Sequence, residues 1–261
     1  MPAVTVIDAT EVAPRAAADG LIVRPTVGPA TGFDALEQAV LECPPGRRAE
    51  LSVGEVEETL FVLAGAGVIH VRGQAQRLEP EAGVYLPPGT RFALECTGVQ
   101  PLRLVAVRVP DPSPGPPSPA QVRRLSDQEL EPATTQREFR ILADPASGLR
   151  SATHFVGYIP TDKAPDHFHT YDEVIYVLDG QGVMHAGNLA RPVAPGSCIQ
   201  LPARTVHCLE NTGSEPMRVV AVFRPAGSPA AAFYPDGRPA YTASSAQPTG
   251  IQDTLQRRRD L

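Results

Sequence analysis

The stretch that decides the fold is residues 165–182, which read PDHFHTYDEVIYVLDGQG. In an extended chain, alternate side chains lie on the same face. His167 and His169 would therefore project from one face about 7 Å apart, and Glu173 shares their parity. The spacing predicts a β-hairpin strand that presents two imidazoles and a carboxylate to a metal ion.

A third imidazole is available downstream, in LPARTVHCLEN at residues 201–211. His207 follows a proline-containing turn there, which places it on a neighbouring strand. An isolated His is usually an ordinary hydrogen-bonded residue, but four potential ligands at matched spacings favour a metal site. We predict that His167, His169, Glu173 and His207 bind a divalent transition metal, whether Mn, Fe, Co, Ni, Cu or Zn. Cys208 would point to the opposite face of the strand and is not counted as a ligand.

These two segments resemble the paired signature motifs of the cupin superfamily. The matching positions are His167-x-His169-x3-Glu173-x6-Gly180 and Gly196-x5-Pro202-x4-His207-x3-Asn211. The resemblance implies a jelly-roll barrel, also called a double-stranded β-helix, that holds the metal. One position departs from the family pattern, because Arg204 stands where a Gly usually follows the motif's proline by two residues. Gly reaches positive φ at little cost and Arg does not.

The chain also contains an internal repeat. Sliding the sequence by 115 residues aligns residues 58–110 with residues 173–225 without a gap. The matched pairs include Glu58 with Glu173, Gly65 with Gly180, His70 with His185, and Pro87 with Pro202. Frequent Pro and Gly and the scarcity of helical periodicity are typical of short strands joined by turns. We therefore predict an all-β chain of two tandem cupin barrels, a bicupin.

The first copy lacks most of the predicted ligands. Ser52, Gly54 and Phe92 stand where the second copy has its three histidines, and only Glu58 remains. A single carboxylate does not hold a transition metal, so we expect the N-terminal barrel to be metal-free. Phe92 and neighbouring aliphatic side chains are expected to fill the space that the ion would occupy.

The domain boundary is predicted at residues 111–120, DPSPGPPSPA. Such a proline density gives a stiff, extended linker with no core of its own. We expect residues 1–110 to form the N-terminal barrel with its degenerate site. Residues 121–261 are then the C-terminal barrel with the metal site and a C-terminal tail.

Composition excludes several functional classes. A net charge of −6 over 261 residues argues against nucleic-acid binding, which needs a clustered excess of Lys and Arg. The sequence shows neither a signal-peptide pattern nor an apolar run of membrane-spanning length. We expect a cytoplasmic protein with a small-molecule substrate, no nucleic-acid or membrane partner, reduced cysteines, and a monomeric or homodimeric state.

Catalytic residues cannot be assigned from the sequence, but four polar residues near the ligand segments are candidates for the substrate pocket. They are His154, Tyr158, Lys163 and Gln200. His154 and Tyr158 share parity on one strand whose face could point into the barrel. A histidine such as His154 is more often a hydrogen-bonded residue of the core or rim than a catalytic residue. An exposed loop Lys usually contacts only water.

Three functions are consistent with these observations. The first is a metal-dependent enzyme acting on a small polar or carboxylate-bearing molecule as a hydrolase, isomerase or lyase. Residues 57–89 resemble the N-terminal half of ureidoglycine aminohydrolases, bicupins with a single metal in the C-terminal barrel. Those enzymes carry Glu first and His last where this chain has His167, His169 and Glu173, and their fourth ligand is not a His. The resemblance therefore implies only their two-barrel architecture for this chain, and not their substrate.

The second function is an iron-dependent dioxygenase that cleaves a ring or a C–C bond, by similarity to quercetin and diketone dioxygenases. The sequence offers no obvious aromatic cluster for a flat substrate, since aromatic residues make up 5% of the chain. The third function, from a different class, is a non-catalytic cupin that binds a metal and a ligand.

Overall fold

Short apolar runs alternate with Gly and Pro turns along the chain, and these runs form strands in the computed structural model, which describes residues 3–115 and 118–240. The first half of the chain contains β1 (Thr5–Asp8), β2 (Arg15–Ala16), β3 (Ile22–Val27), β4 (Glu37–Cys43), β5 (Arg48–Ser52), β6 (Glu57–Ala64), β7 (Gly67–Val71), β8 (Gln74–Leu78), β9 (Ala82–Leu86), β10 (Arg91–Cys96) and β11 (Leu102–Val109).

The second half repeats this series with β12 (Gln121–Arg124), β13 (Glu131–Pro132), β14 (Glu138–Ala143), β15 (Thr153–Ile159), β16 (Asp172–Asp179), β17 (Gly182–Ala186), β18 (Leu189–Val193), β19 (Ser197–Leu201), β20 (His207–Asn211) and β21 (Met217–Arg224). The helical residues in the described ranges form short 3-10 turns at Ala18–Gly20, Pro29–Thr31, Leu125–Asp127 and Pro145–Ser147. None of these turns is long or apolar enough to cross a membrane. The predicted all-β class is confirmed.

The strands form two barrels, each made of one large and one small sheet. In the N-terminal barrel the large sheet has the order β12-β9-β6-β11-β4-β3-β2 and faces the small sheet β5-β10-β7-β8. In the C-terminal barrel the order β1-β19-β16-β21-β15-β14-β13 faces β18-β17-β20. Each barrel encloses its own apolar core between its two sheets.

A third core lies between the barrels, where the two seven-stranded sheets pack face to face. It contains side chains from both halves, among them Phe61, Tyr85, Val156, Tyr176 and Val220. The central strands are consequently buried on both faces, which explains why β16, DEVIYVLD, is nearly continuous in apolar residues. Because both sides are buried, alternate side chains along these strands point into two different cores, and neither set points into solvent.

The two halves exchange their first strands. β1 pairs with β19 of the C-terminal barrel, with Thr5 opposite Gln200. β12 pairs with β9 of the N-terminal barrel, with Gln121 opposite Tyr85. The sheets therefore cross the predicted domain boundaries at both strands, because residues 5–8 complete the C-terminal barrel and residues 121–124 complete the N-terminal one. The predicted C-terminal tail beyond residue 240 lies outside the described residues.

Candidate metal centre

The two segments that carry the histidines are joined through their backbones. His167 and His207 form an isolated antiparallel bridge, in which His167 N donates to His207 O at 3.0 Å and His207 N donates to His167 O at 2.8 Å. β16 begins only at Asp172, so His167 and His169 precede the strand instead of lying within it as predicted. His207 does open a neighbouring strand, β20.

The turn before β20 holds the other histidine in place. Arg204 N donates to His169 O at 2.7 Å, and Arg204 has a φ of 62°. The equivalent turn of the first barrel has Gly89, with a φ of 76°. Arg204 therefore adopts the left-handed conformation that the family's glycine provides, at a cost of about 1 kcal/mol.

The three imidazoles converge, with one ligand nitrogen of each within 4.8 Å of the others. In every ring Nδ1 donates to a backbone carbonyl: His167 to Pro165 at 3.0 Å, His169 to Ala231 at 3.0 Å and His207 to Thr205 at 2.9 Å. A carbonyl only accepts, so Nδ1 carries the proton in each ring. The three Nε2 lone pairs are therefore free to bind a metal, and carbonyl partners of this kind commonly orient metal-bound histidines.

Burial keeps these rings neutral. Desolvation lowers the pKa of His167 and His207, and it lowers the pKa of His169 to about 3. The nearby Arg137 guanidinium lowers all three pKa values further. Neutral imidazole is the form that binds metals, so the chemistry of this donor set fits a divalent transition metal.

Glu173 lines the same cavity from β16. Its carboxyl lies outside the three-histidine cluster, and burial raises its pKa to about 8. A cation beside this carboxyl would favour its ionised form. Its role as the fourth ligand remains a prediction.

The cavity around these residues is small, with a volume of about 90 Å³. Aromatic rings fill much of the barrel: Phe139 packs edge-on against Phe155, Phe155 against Phe223, and Tyr171 stacks between Phe223 and His169. The sequence predicted no aromatic cluster. The structure contains one, which has no local signal in the sequence because its four rings come from separate strands and loops.

A segment after β21 borders the cavity. Phe233 exchanges two backbone hydrogen bonds with Phe168, of 2.8 and 3.0 Å, and the two rings stack at 5.6 Å. Ala231 in this segment supplies the carbonyl that orients His169. Residues 228–240, which we call the cover segment, therefore both contribute to the lining of the cavity and position one of the three histidines.

Two residues of the cavity were not singled out from the sequence. Arg137 lines it, donates from Nη2 to Leu209 O at 2.8 Å, and has a buried Nε without a hydrogen-bond partner among the described residues. Tyr171 also lines the cavity. The parity shared by Tyr171 and His169 could have identified Tyr171, whereas Arg137 lies 30 residues before the ligand segment and carries no local signal.

The four pocket candidates have different locations. His154 is buried between the barrels, with its ring edge-on to Phe61 at 6.3 Å. Gln200 is also between them, accepting from Thr31 Oγ1 at 2.7 Å and donating to Ala3 O at 2.9 Å. Tyr158 borders the cavity but packs against the inter-barrel core, and Lys163 is exposed. The face of β15 that carries His154 points towards the other barrel, not inward as expected.

The N-terminal barrel differs from the prediction in its volume. Phe92 is buried as expected, but the barrel keeps a cavity of about 620 Å³ that Phe92 lines. The expectation that side chains fill this space is wrong, because the aromatic rings of the C-terminal barrel are absent here. The positions of Phe139, Phe155 and Phe223 are taken by Val23, Ala39 and Arg108.

Solved structures of similar fold cover most of the chain. YlbA from E. coli superposes with a TM-score of 0.73 at 13% identity, over 85% of this chain and 91% of that one. A putative glyoxylate-induced protein from Pseudomonas aeruginosa gives 0.73 at 20% identity, over 85% and 89%. Oxalate decarboxylase from Bacillus subtilis gives 0.70 at 15% identity, over 98% and 82%. At these identities the similarity shows the fold alone.

Two sequence comparisons complete the assignment. An uncharacterized protein from Methanocaldococcus jannaschii is 33% identical over 57 residues, which are 22% of this chain and 46% of that protein. The match thus spans less than half of that relative. The sequence model of the cupin domain family matches residues 39–108 and 154–223, one region in each barrel and together more than half of the chain. The chain belongs to the cupin family and carries two cupin domains in tandem.

Proposed function

We propose that this cupin is a metal-dependent enzyme that acts on a small carboxylate-bearing molecule in its C-terminal barrel. The observation that carries the proposal is the presence of Arg137 in the same small cavity as three neutral imidazoles. A guanidinium with an unused buried N–H is suited to bind a carboxylate.

The residues of the cavity divide into three roles. His167, His169 and His207 would hold the metal through Nε2, with Glu173 as the fourth ligand. Arg137 would bind and orient the substrate carboxylate beside them. A divalent transition metal at such a site polarises a carbonyl or carboxylate oxygen and lowers the pKa of bound water. This chemistry serves hydrolases, isomerases and lyases, the classes that we favour.

The size of the cavity limits the substrate. A volume of about 90 Å³ is below the roughly 300–1,000 Å³ of pockets for drug-sized ligands. The apolar walls, formed by Phe139, Phe155 and Ile175 among others, exclude water from the reacting groups. A structural neighbour named oxalate decarboxylase takes its name from a dicarboxylate small enough for such a space.

The aromatic cluster favours a second candidate, an iron-dependent dioxygenase. Tyr171 and three phenylalanine rings surround the ligand histidines, and such walls suit an apolar substrate. The small volume argues against flavonoid-sized substrates unless the cover segment opens.

Two measurements test these proposals. Elemental analysis of protein purified without chelators should give about one equivalent of a transition metal, because only the C-terminal barrel has the three imidazoles. Oxygen uptake is then recorded over a panel of small carboxylates, diketones and phenols. Turnover of a carboxylate without uptake supports the first proposal, uptake supports the second, and metal without turnover of any compound supports a binding protein.

Arg137 provides the sharper test of substrate class. Arg137→Gln should raise KM for a carboxylate substrate about tenfold or more and leave the metal content unchanged. Arg137→Lys, which keeps the charge but not the planar fork, should recover part of the loss. An unchanged KM in Arg137→Gln would exclude the carboxylate role of Arg137.

A further inference from the structure

The N-terminal barrel contains a cavity that the metal site does not explain. Its walls are mainly apolar, with Leu21, Val23, Ala39, Leu41 and Phe92 among the lining residues. Its volume of about 620 Å³ lies within the range of small-molecule sites. By comparison, the equivalent space in the C-terminal barrel is filled by aromatic rings.

Charged side chains occupy one end of this cavity. Glu37, Arg108 and Glu58 lie side by side on β4, β11 and β6, because Arg108 is the cross-strand neighbour of both carboxylates. All three line the cavity. Arg108 Nη1 is 3.7 Å from Glu37 Oε2, and Arg108 Nε is 4.0 Å from Glu58 Oε2. Both contacts are longer than hydrogen bonds.

Glu58 is the group in this row that needs a partner. It is 8% exposed and makes no hydrogen bond to any residue within the described ranges. Arg108, in contrast, already donates from Nη2 to Val53 O at 3.0 Å. The Glu58 carboxyl lines the cavity, and a ligand that brings N–H groups to it would supply the donors that the neighbouring side chains do not.

The charge of the row selects the kind of ligand. Two carboxylates and one guanidinium leave one net negative charge when both carboxyls are ionised. Solvent screens the other charges of the cavity, because the Glu37 and Arg108 side chains are 43% and 42% exposed and Arg15 is exposed as well. The Glu58 side chain is 10% exposed, so an ammonium group would pair with this carboxylate, whereas a ligand carboxylate would be repelled by it.

We propose that the N-terminal barrel is a second binding site, which takes a small, mainly apolar primary amine with its ammonium group on Glu58 and its apolar body against Ala39, Leu41 and Phe92. This site is independent of the metal and of the reaction proposed for the C-terminal barrel.

The test is calorimetric titration of the full-length, metal-loaded protein with benzylamine and n-hexylamine, and with the matched acids benzoate and hexanoate. We expect one amine to bind per chain. Glu58→Gln should weaken amine binding about tenfold or more, because the ammonium group then meets a neutral amide instead of a carboxylate.

Ala39→Phe is the matched blocking variant, since it restores the ring that Phe155 provides in the other barrel. We expect it to abolish amine binding while the metal content and the circular dichroism spectrum stay unchanged. Amine binding that survives in Ala39→Phe, or that is equally strong in Glu58→Gln, would overturn the proposal. Preferential binding of the acids at this site would also overturn it.

Discussion

The buried Glu58 carboxyl should make the stability of this protein depend on pH in an unusual direction. Desolvation raises its pKa to about 7 from an ordinary value of 4.5; Arg108 opposes the shift and Glu37 adds to it. Between these two pH values the folded state binds more protons at this site than the unfolded state does. The contribution of Glu58 to the free energy of unfolding therefore falls as pH rises from 4.5 to about 7.

The magnitude follows from the size of the shift. At about 1.4 kcal/mol per pKa unit, the ionised Glu58 destabilises the fold by up to about 3 kcal/mol above neutral pH, and by nothing below its unfolded-state pKa. Glu58→Gln removes the ionisation. The variant should therefore be more stable than the wild type at about pH 8, and this advantage should disappear as pH falls towards 4.5.

The assay is urea unfolding of both proteins across this pH range, followed by circular dichroism. Glu57→Gln is the matched control, because Glu57 lies next in sequence but faces the other barrel. It accepts from Arg150 N and Ser151 N, both at 3.0 Å, and from Tyr85 Oη at 3.1 Å. Glu57→Gln should destabilise the protein at about pH 8, where Glu58→Gln stabilises it. A stability difference between Glu58→Gln and wild type that does not change with pH would refute this reasoning.

Three further predictions concern the C-terminal barrel. His169→Ala should lower the affinity for metal about tenfold or more without unfolding the barrel, as measured by elemental analysis and circular dichroism. Arg204→Gly should stabilise the fold by about 0.5–1 kcal/mol in urea unfolding, since glycine tolerates a φ of 62°, whereas Gly89→Ala should destabilise it. Phe233→Ala should loosen the cover segment and speed metal removal by a chelator several-fold, and Tyr234→Ala, which alters a contact with the exposed Arg238, should not.

The fold could be predicted because its signals are local or repeated. The two histidines at i and i+2, the later His207 and the repeat of 115 residues all lie within the sequence itself. His70 and His185, which are matched in the repeat, make equivalent contacts in the two barrels. Each contacts a Glu on the neighbouring strand, at 2.8 Å for His70 and Glu95 and 2.6 Å for His185 and Glu210.

Which face of each central strand lines the cavity could not be predicted in the same way. Alternation assigns Val174 and Glu173 to opposite faces of β16, but both faces are buried, so periodicity does not say which one lines the cavity. The cross-strand register supplies the answer. Leu201 lies opposite Glu173, which places Leu201 inside the barrel and Gln200 between the barrels. That register joins strands about 30 residues apart and has no local signal.

The two barrels place equivalent carboxyl groups in different surroundings. Glu58 and Glu173 occupy equivalent positions and are both desolvated, so each requires a positively charged partner to remain ionised. In the C-terminal barrel three imidazoles converge in the cavity that Glu173 lines, and a metal bound there would meet this requirement. The first barrel cannot regain that site through Phe92→His alone, because Ser52 and Gly54 bring no imidazole and Gly54 has a φ of 71°, which disfavours any side chain. An organic cation that fills the open cavity would meet the same requirement without a metal ligand.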